Sequence, residues 1–448
     1  MGSNLQAPRG TKDLFGAEYE RLEALERLCA STARLWGYAG IRTPIFEETG
    51  LFVRSIGEAT DIVEKEMFTI PPRAEKGDDK SYTLRPENTA GVVRAYLEHN
   101  LHKTQGLAKF FYLGPQFRRE RPQAGRLREF HQMGAEVLGL AREPKGDTPA
   151  APFTAYADVI LLAAEILSRA GLQGLKLRLN SVGCAKPGCR DGYREKLKAE
   201  LSAHKEKLCG DCQRRLDRNV FRVLDCKKPN CREVSAAVLG RIPQEFCGDC
   251  GKQLHYVEST VNGLLAATVS AACDPFLVRG LDYYTGTVFE FTAEGLGAQD
   301  AVGGGGSYDG LIAEMSGPPL GATGFALGLE RVLMAQEAAG ASSPEAQPVG
   351  PPVYIAAAAE SEVPYTLAIR LRQAGVNTDF DLAAPARGIG NHLKRASKLG
   401  ARLTVIIGED ELKAGEVTIK DMASGEQRRV KSAEAVAEIK KALGRGGA

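Results

Sequence analysis

Residues 109–139 read KFFYLGPQFRRERPQAGRLREFHQMGAEVLG. Two apolar runs, 109–117 and 130–138, flank a strongly basic stretch at 118–129. The runs alternate as strands do, so the segment predicts a long antiparallel hairpin. Its loop carries Arg118, Arg119, Arg121, Arg126 and Arg128, with Arg142 just beyond. Arginine is permanently charged and its planar fork matches phosphate oxygens. A hairpin with arginine on both arms can straddle a polyphosphate; the alternative is a solvated basic hairpin. The alternation also puts Gln132 and Glu136 on one strand face, with Gly134 between them. Polar side chains aimed into a sheet need partners, and a polar substrate would supply them.

Further arginines stand in apolar settings: Arg85 in TLRPE (83–87), Arg279 in LVRGLDYY (277–284) and Arg331 in GFALGLERVLM (324–334). Any one of them alone reads more readily as a salt-bridged strut than as a ligand. Three on different core elements favour a converging anion site.

Outward from the hairpin, residues 18–36 predict a helix, with Tyr19, Leu22, Leu25, Cys29, Ala33 and Trp36 at helical spacing and Gly37 ending it. Residues 41–46 predict a short strand, which Pro44 confines to an edge or an interface. Segments 67–70 and 82–84 predict a hairpin around the polar loop 71–80, and 88–99 a helix with Val92, Val93 and Tyr96 on one face. An apolar helix at 155–170, closed by Gly171, precedes a strand at 175–180. Segments 277–292 and 300–302 predict strands, Gly303 to Gly306 a tight corner, and 321–338 a helix opened by glycine. Residues 341–352 (ASSPEAQPVGPP) form a linker. Beyond it, strand 353–357, helices 361–374 and 389–399, and strand 403–407 predict an α/β module with a mostly parallel sheet. The preceding hairpins predict an antiparallel sheet with helices on one side. The expected class is α+β. Core segments at 1–180 and 257–340 are interrupted by a Cys-rich insertion at 181–256 and followed by the module at 353–448. No GxxxxGK[ST] or spaced GxGxxG occurs, which excludes phosphate-loop and Rossmann nucleotide sites.

The chain has 448 residues, 43% hydrophobic and 25% charged. That suits two to four domains at roughly 100–200 residues each. No apolar run approaches the roughly 18 residues of a membrane span, and residues 1–13 lack the apolar core of a secretory signal, so the expected compartment is the cytoplasm. The net charge of +2 is uneven. Residues 184–255 carry 16 basic against 10 acidic residues, 350–448 carry 15 against 12, and the remainder 27 against 34. An acidic body with two basic segments suits a small-molecule site with accessory parts touching a polyanion; scatter of surface charge reads the same numbers as well.

Eight of the ten cysteines lie within residues 184–250, as CAKPGC (184–189), CGDC (209–212), CKKPNC (226–231) and CGDC (247–250). In a cytoplasmic chain, close cysteine pairs suggest metal or redox work. The order Cx₄C, CxxC, Cx₄C, CxxC makes two tandem half-repeats of four thiols, the number a closed zinc site takes. The candidate ligands are Cys184, Cys189, Cys209, Cys212, Cys226, Cys231, Cys247 and Cys250. Pairing within each half and interleaving remain open, as do metal-free thiols and disulfides.

Several stretches resemble class II aminoacyl-tRNA synthetases. FRRERPQAGRLREFHQMGAE (117–136) resembles their motif-2 loop, GFALGLERVL (324–333) their motif 3, and Pro44 in IRTPIFE (41–47) the motif-1 proline at a dimer interface. LVRGLDYYTGTVFEF (277–291) and VGGGGSYDGL (302–311) resemble segments specific to the histidyl-tRNA synthetase family, and the likeness runs from PRGTKDLFG (8–16) to VIIGEDEL (405–412). The resemblance implies activation of L-histidine by ATP with Mg²⁺, transfer to the 3′ end of tRNA, and a homodimer. It implies that Arg118 holds the α-phosphate, Glu120 accepts from the adenine amino group, Arg126 reaches the terminal phosphates and Phe130 stacks on adenine. Arg331 would cover the other adenine face or the γ-phosphate. Glu87 and Thr89, with Gln132 close by, would bind the substrate α-amino group; Glu136, Tyr283, Tyr284 and Tyr308 would surround the imidazole. Arg279 would stabilise the reacting carboxylate and α-phosphate. The insertion would contact the tRNA acceptor arm, and the C-terminal module, with His392, Lys394, Arg395 and Lys398 on or near one helix, would bind the anticodon.

The chemistry suits those roles. Adenylation brings a carboxylate against an electron-rich phosphate, and fixed cations relieve the repulsion without a side-chain nucleophile. An imidazole both donates and accepts, so a carboxylate with tyrosine hydroxyls fits it. Two positions depart from the family pattern: Asn88 stands where glycine is common, and Ser307 where arginine is frequent. A non-enzymatic regulatory subunit of histidine biosynthesis and a class II synthetase for another amino acid are the rival expectations. Retention of Arg118, Arg279 and Arg331 and of the C-terminal module opposes the first, and LDYYTG with GGGGSYDG opposes the second.

Overall fold

The arginine hairpin forms two neighbouring strands of a large sheet. A computed structural model describes residues 5–444 except 59, 73–79, 141–150, 185, 243, 245, 266–268, 298–299, 342–351, 360 and 381–387. Arg142, most of the 71–80 loop and most of the linker therefore lie outside the described residues. The chain divides into two units, residues 1–346 and 347–448.

The first unit contains β1 (Ala39–Gly40), β2 (Phe46–Glu48), β3 (Phe68–Ile70), β4 (Tyr82–Leu84), β5 (Ala108–Phe117), β6 (Glu129–Leu140), β7 (Leu175–Ser181), β8 (Val269–Cys273), β9 (Thr285–Thr292), β10 (Ala301–Ser307) and β11 (Gly321–Gly328). Among the described residues, eight of these form one sheet in the order β1-β5-β6-β11-β10-β9-β7-β8. Its interior pairs are antiparallel and its two edge pairs, β1–β5 and β7–β8, parallel. A small sheet, β2-β4-β3, holds the predicted 67–70/82–84 hairpin.

Strand alternation separates the two faces of the large sheet. Met133, Ala135 and Val137 of β6, Phe289 and Phe291 of β9, and Phe325 and Leu327 of β11 pack against the helices Gly16–Leu35 and Ala151–Arg169. On the opposite face, Tyr112, Leu138, Val288 and Tyr308 pack with Val92, Val93 and Tyr96 of the helix Thr89–Glu98. That face also carries Gln132, Gly134 and Glu136.

Five expectations for this unit need correction. Residues 41–45 are not a strand: the buried Arg85 guanidinium donates to the carbonyls of Thr43 at 3.1 Å and Pro44 at 3.4 Å, and Pro44 has no ladder N–H to give. Arg85 is thus a strut and not part of an anion site. Residues 277–284 form a loop, and pairing begins only at Thr285. Gly303 to Gly306 are not a corner but lie inside β10, paired on both sides. Residues 321–328 are a strand, with the helix starting at Leu329, because this small-residue segment closes the ladder between β6 and β10. Strand β8 carried no recognised sequence signal.

The insertion core is helical, with Tyr193, Leu197, Leu201, Leu216, Phe221 and Val238 at its centre. Its last helix, Gly248–Leu265, runs past residue 256, and Val257 and Val261 pack in the main core. Arg232 lies 3.5 Å over the Phe276 ring, fastening the insertion to the segment that leads into the 277–284 loop.

The second unit contains β12 (Val353–Ala357), β13 (Thr378–Phe380), β14 (Leu403–Ile407), β15 (Glu416–Asp421) and β16 (Gln427–Lys431), in the order β13-β12-β14-β15-β16. The first two pairings are parallel, as expected, but the last two are antiparallel, because a short αβ connection lets β15 return beside β14. On the helix Ile389–Lys398, Lys394, Arg395 and Lys398 are exposed. His392 is buried, 3.1 Å from the Tyr354 hydroxyl, and belongs to the core.

Candidate active site

The open part of the large sheet is the floor of a cleft of about 930 Å³. Glycine makes the floor. A Cβ on Gly304 would stand 3.0 Å from Arg279 Nη1, and one on Gly306 2.5 Å from the Thr287 carbonyl and 3.0 Å from the Tyr284 ring. A Cβ on Gly324 would overlap the Glu136 carboxylate, its partner across the β6–β11 ladder.

At one end of the cleft the walls are buried and polar. Glu136 accepts hydrogen bonds from the Thr89 hydroxyl at 2.7 Å and from the Tyr308 hydroxyl. Burial pushes its pKa up to about 8, although both hydroxyls pull the other way. Glu87 is buried at the start of the helix Thr89–Glu98 and accepts from the backbone N–H of Thr89 (2.6 Å) and Ala90 (3.0 Å). Burial raises its pKa despite those donors. Tyr283 and Tyr284, at the end of the 277–284 loop, complete this end, with ring centroids 4.8 Å apart; Tyr283 also meets Tyr308 at 5.6 Å. Gln132 lines the cleft, and its buried Oε1 meets no donor among the described residues.

The other end is cationic. Arg118 lies over Phe130, 5.3 Å from the ring centroid, and Arg126 reaches Glu120 at 3.2 Å. Arg331 is held by the carbonyls of Gly125 (3.1 Å) and Ala301 (2.5 Å). Of the described loop arginines only Arg118 and Arg126 line the cleft; Arg128, for instance, ties the loop to the carbonyls of Glu120 and Arg9. Glu330 faces His131 rather than Arg331, accepting from its backbone N–H at 2.9 Å and meeting its ring at 2.9 Å. Between the two ends stands Arg279, 2.8 Å from Glu290. Glu290 also binds Arg178 at 2.8 Å, and Arg178 binds Asp274 at 2.6 Å. A charge chain thus holds Arg279 in place at the middle of the floor.

The cleft brings together every residue that the family resemblance assigns to histidine or ATP. It also includes Tyr112, Arg178, Glu290, Arg222, Lys227 and Lys228, which the sequence did not point to. Arg178 and Glu290 share the cleft face by strand alternation, a signal readable once β7 and β9 are paired. A narrow polar pocket joined to an anion site by a central arginine suits the joining of a small polar acid to a polyphosphate. Residues 10–332 match the family model described as histidyl-tRNA synthetase, and residues 353–442 the one described as anticodon binding domain.

The chain belongs to the histidyl-tRNA synthetase family. It is 45% identical to the histidine–tRNA ligase of Desulforudis audaxviator over 98% of this chain and 99% of that one, and 45% identical to that of Pelotomaculum thermopropionicum over 95% of each. The apo histidyl-tRNA synthetase of S. aureus superposes with a TM-score of 0.74 at 30% identity, covering 97% of this chain and 100% of that one. Members of the histidyl-tRNA synthetase family are ligases, and the likeness spans both units.

In this synthetase the insertion closes one side of the cleft. Its eight cysteines gather as Cys184, Cys189, Cys247 and Cys250, and as Cys209, Cys212, Cys226 and Cys231. In each group the sulfurs lie within 4.8 Å of one another and could hold a metal ion. The grouping is nested: the first wide pair meets the last narrow pair, around the two inner pairs.

Gly324→Ala tests the floor. The methyl group must displace Glu136, so the KM for histidine is expected to rise at least tenfold while the KM for ATP stays within about twofold. Overpacking of about 1–3 kcal/mol should also appear as a lower Tm. Equal changes in the two KM values would mean that the Glu136 end of the cleft takes no part in histidine binding.

Proposed function

We infer that this chain activates L-histidine with ATP and transfers it to the 3′ end of its cognate tRNA. A histidine carboxylate oxygen attacks the ATP α-phosphorus, a P–O bond forms, and the bond to the β-phosphate oxygen breaks to release pyrophosphate. A ribose hydroxyl at the tRNA 3′ end then attacks the adenylate carbonyl and AMP leaves. The observation that carries this reading is the single cleft, with Glu136, Thr89 and Tyr308 at one end, Arg118, Arg126 and Arg331 at the other, and Arg279 between them.

In this reading Glu136, Tyr283, Tyr284 and Tyr308 surround the imidazole, and Glu87, Thr89 and Gln132 take the α-amino group. Phe130 stacks on the adenine, Glu120 accepts from its amino group, and Arg331 covers the other adenine face or the γ-phosphate. Arg118 holds the α-phosphate and Arg126 the terminal phosphates. Arg279 faces the carboxylate and the α-phosphate as charge builds between them. Mg²⁺ carried in with ATP would supply charge neutralisation at phosphate oxygens that Arg118 and Arg126 do not reach. Ser307 supplies no cation here, since its hydroxyl is buried and donates to the Thr285 carbonyl.

The insertion is proposed to meet the tRNA acceptor arm, and the second unit, with Lys394, Arg395 and Lys398 exposed on one helix, the anticodon. The domain limits 1–180, 181–256, 257–340 and 353–448 are part of this proposal. Ile45 and Phe46, which follow Pro44, are exposed, apolar surface that supports a homodimer through this face. Among the described residues no helix is long and apolar enough to cross a membrane. A cytoplasmic location follows from the proposed role in translation.

Amino-acid-dependent ATP–pyrophosphate exchange tests the reading. Histidine is expected to support exchange, and other amino acids to fall below it by a factor of about 10⁴, the scale for a pocket built on buried hydrogen-bonding groups. Exchange with a different amino acid would reassign the specificity. No exchange with any would favour a regulatory protein.

A further inference from the structure

We propose that the nested cysteine groups are two tetrahedral tetrathiolate zinc sites, an outer one of Cys184, Cys189, Cys247 and Cys250 and an inner one of Cys209, Cys212, Cys226 and Cys231. The spacing of the sulfurs carries the proposal. Zn–S bonds of about 2.3 Å in a tetrahedron place the sulfurs about 3.8 Å apart. In the outer group Cys184 and Cys247 lie 3.5 Å apart, Cys247 and Cys250 3.7 Å, and Cys189 and Cys250 3.8 Å. A disulfide needs about 2.05 Å, and none of the eight cysteines forms one. Two backbone donors point at sulfur, Cys209 N–H to Cys231 Sγ at 3.1 Å and Cys247 N–H to Cys189 Sγ at 3.4 Å, as thiolate ligands favour. Four sulfurs per group leave no open position, so these sites are structural.

Each site touches a different part of the cleft. Arg190, next to Cys189, donates to the carbonyls of Asp282 (3.5 Å) and Tyr284, so the outer metal fixes the arginine that holds the 282–284 turn. Cys226 of the inner group itself lines the cleft, followed by Lys227 and Lys228. The metal content is independent of the ligase reading; only the link from the outer site to histidine binding rests on it.

The test is metal analysis of the full chain after incubation with zinc in reducing buffer and gel filtration. Two zinc ions per chain are expected, and one in each of Cys212→Ser and Cys250→Ser. Fewer than two in the parent, or loss of both from either variant, overturns the two-site arrangement. Where a variant is insoluble, cobalt titration of the parent decides. Tetrahedral thiolate bands that saturate at two equivalents support the sites, and saturation at one or octahedral bands overturn them. In soluble variants the KM for histidine is expected to rise in Cys250→Ser and not in Cys212→Ser; a rise in both or in neither overturns the link between the outer site and the 282–284 turn.

Discussion

Replacing Arg279 with alanine is expected to lower histidine-dependent ATP–pyrophosphate exchange at least ~100-fold, the scale of losing a fixed donor to transition-state charge. The guanidinium stands between the buried carboxylate pocket and the phosphate end, and Glu290 holds it at 2.8 Å. Carboxylate and α-phosphate repel most strongly as the new bond forms, so the contribution of Arg279 grows along the reaction. The loss should therefore fall on kcat, with KM for histidine and ATP changed much less. Removing Arg279 also deprives Glu290 of one partner while leaving it Arg178, so the fold should survive, which circular dichroism and Tm will check. Glu290→Gln keeps the arginine but loosens its anchor, and is expected to give a smaller loss of the same kind. Exchange within threefold of the parent in a folded Arg279→Ala protein would remove this residue from the chemistry.

Glu136→Gln is expected to raise the KM for histidine roughly 30-fold or more, since breaking a buried hydrogen-bonded charge pair costs at least about 2 kcal/mol. The pH profile sharpens the test. Free histidine carries an imidazole with a pKa near 6.5, and burial holds Glu136 at about 8. Between these values the two groups bring one proton to the complex, which the carboxylate and imidazole then share. Below about pH 6.5 they bring two and one must leave. Above about pH 8 they bring none and one must be taken up. Affinity therefore falls on both flanks, and the KM for histidine should be lowest between about pH 6.5 and 8. In Glu136→Gln the alkaline limb should vanish while the acid limb, which belongs to the substrate, remains. A KM within threefold of the parent and an unchanged alkaline limb would show that Glu136 does not contact the imidazole.

Much of the cleft is legible in the amino-acid sequence. The arginine hairpin, the Gln132/Glu136 face and the tyrosines of the 277–284 segment could be picked out because charged and polar side chains in apolar runs stand out against strand alternation. The glycine strands were not legible. Gly303 to Gly306 and residues 321–328 have few side chains from which a period of 2 or 3.6 can be read, and only the neighbours on both sides show that they are sheet. Arg85 was ambiguous for a different reason. An arginine that braces carbonyls of an irregular segment looks, in sequence, like one that awaits an anion. The cysteine grouping was hidden because the two CGDC pairs are identical, so spacing could not say which wide pair each would meet.

The floor of the cleft has a consequence for anyone wishing to retune this protein toward another amino acid. Its height is set by main-chain carbonyls, not by side chains. Nothing on Gly304 or Gly324 can be trimmed to admit a larger substrate, and nothing can be added without striking the Phe289 carbonyl or Glu136. Altered selectivity must therefore come from the side-chain walls, at Gln132, Tyr284 or Tyr308, where shortening a side chain opens space without moving a strand.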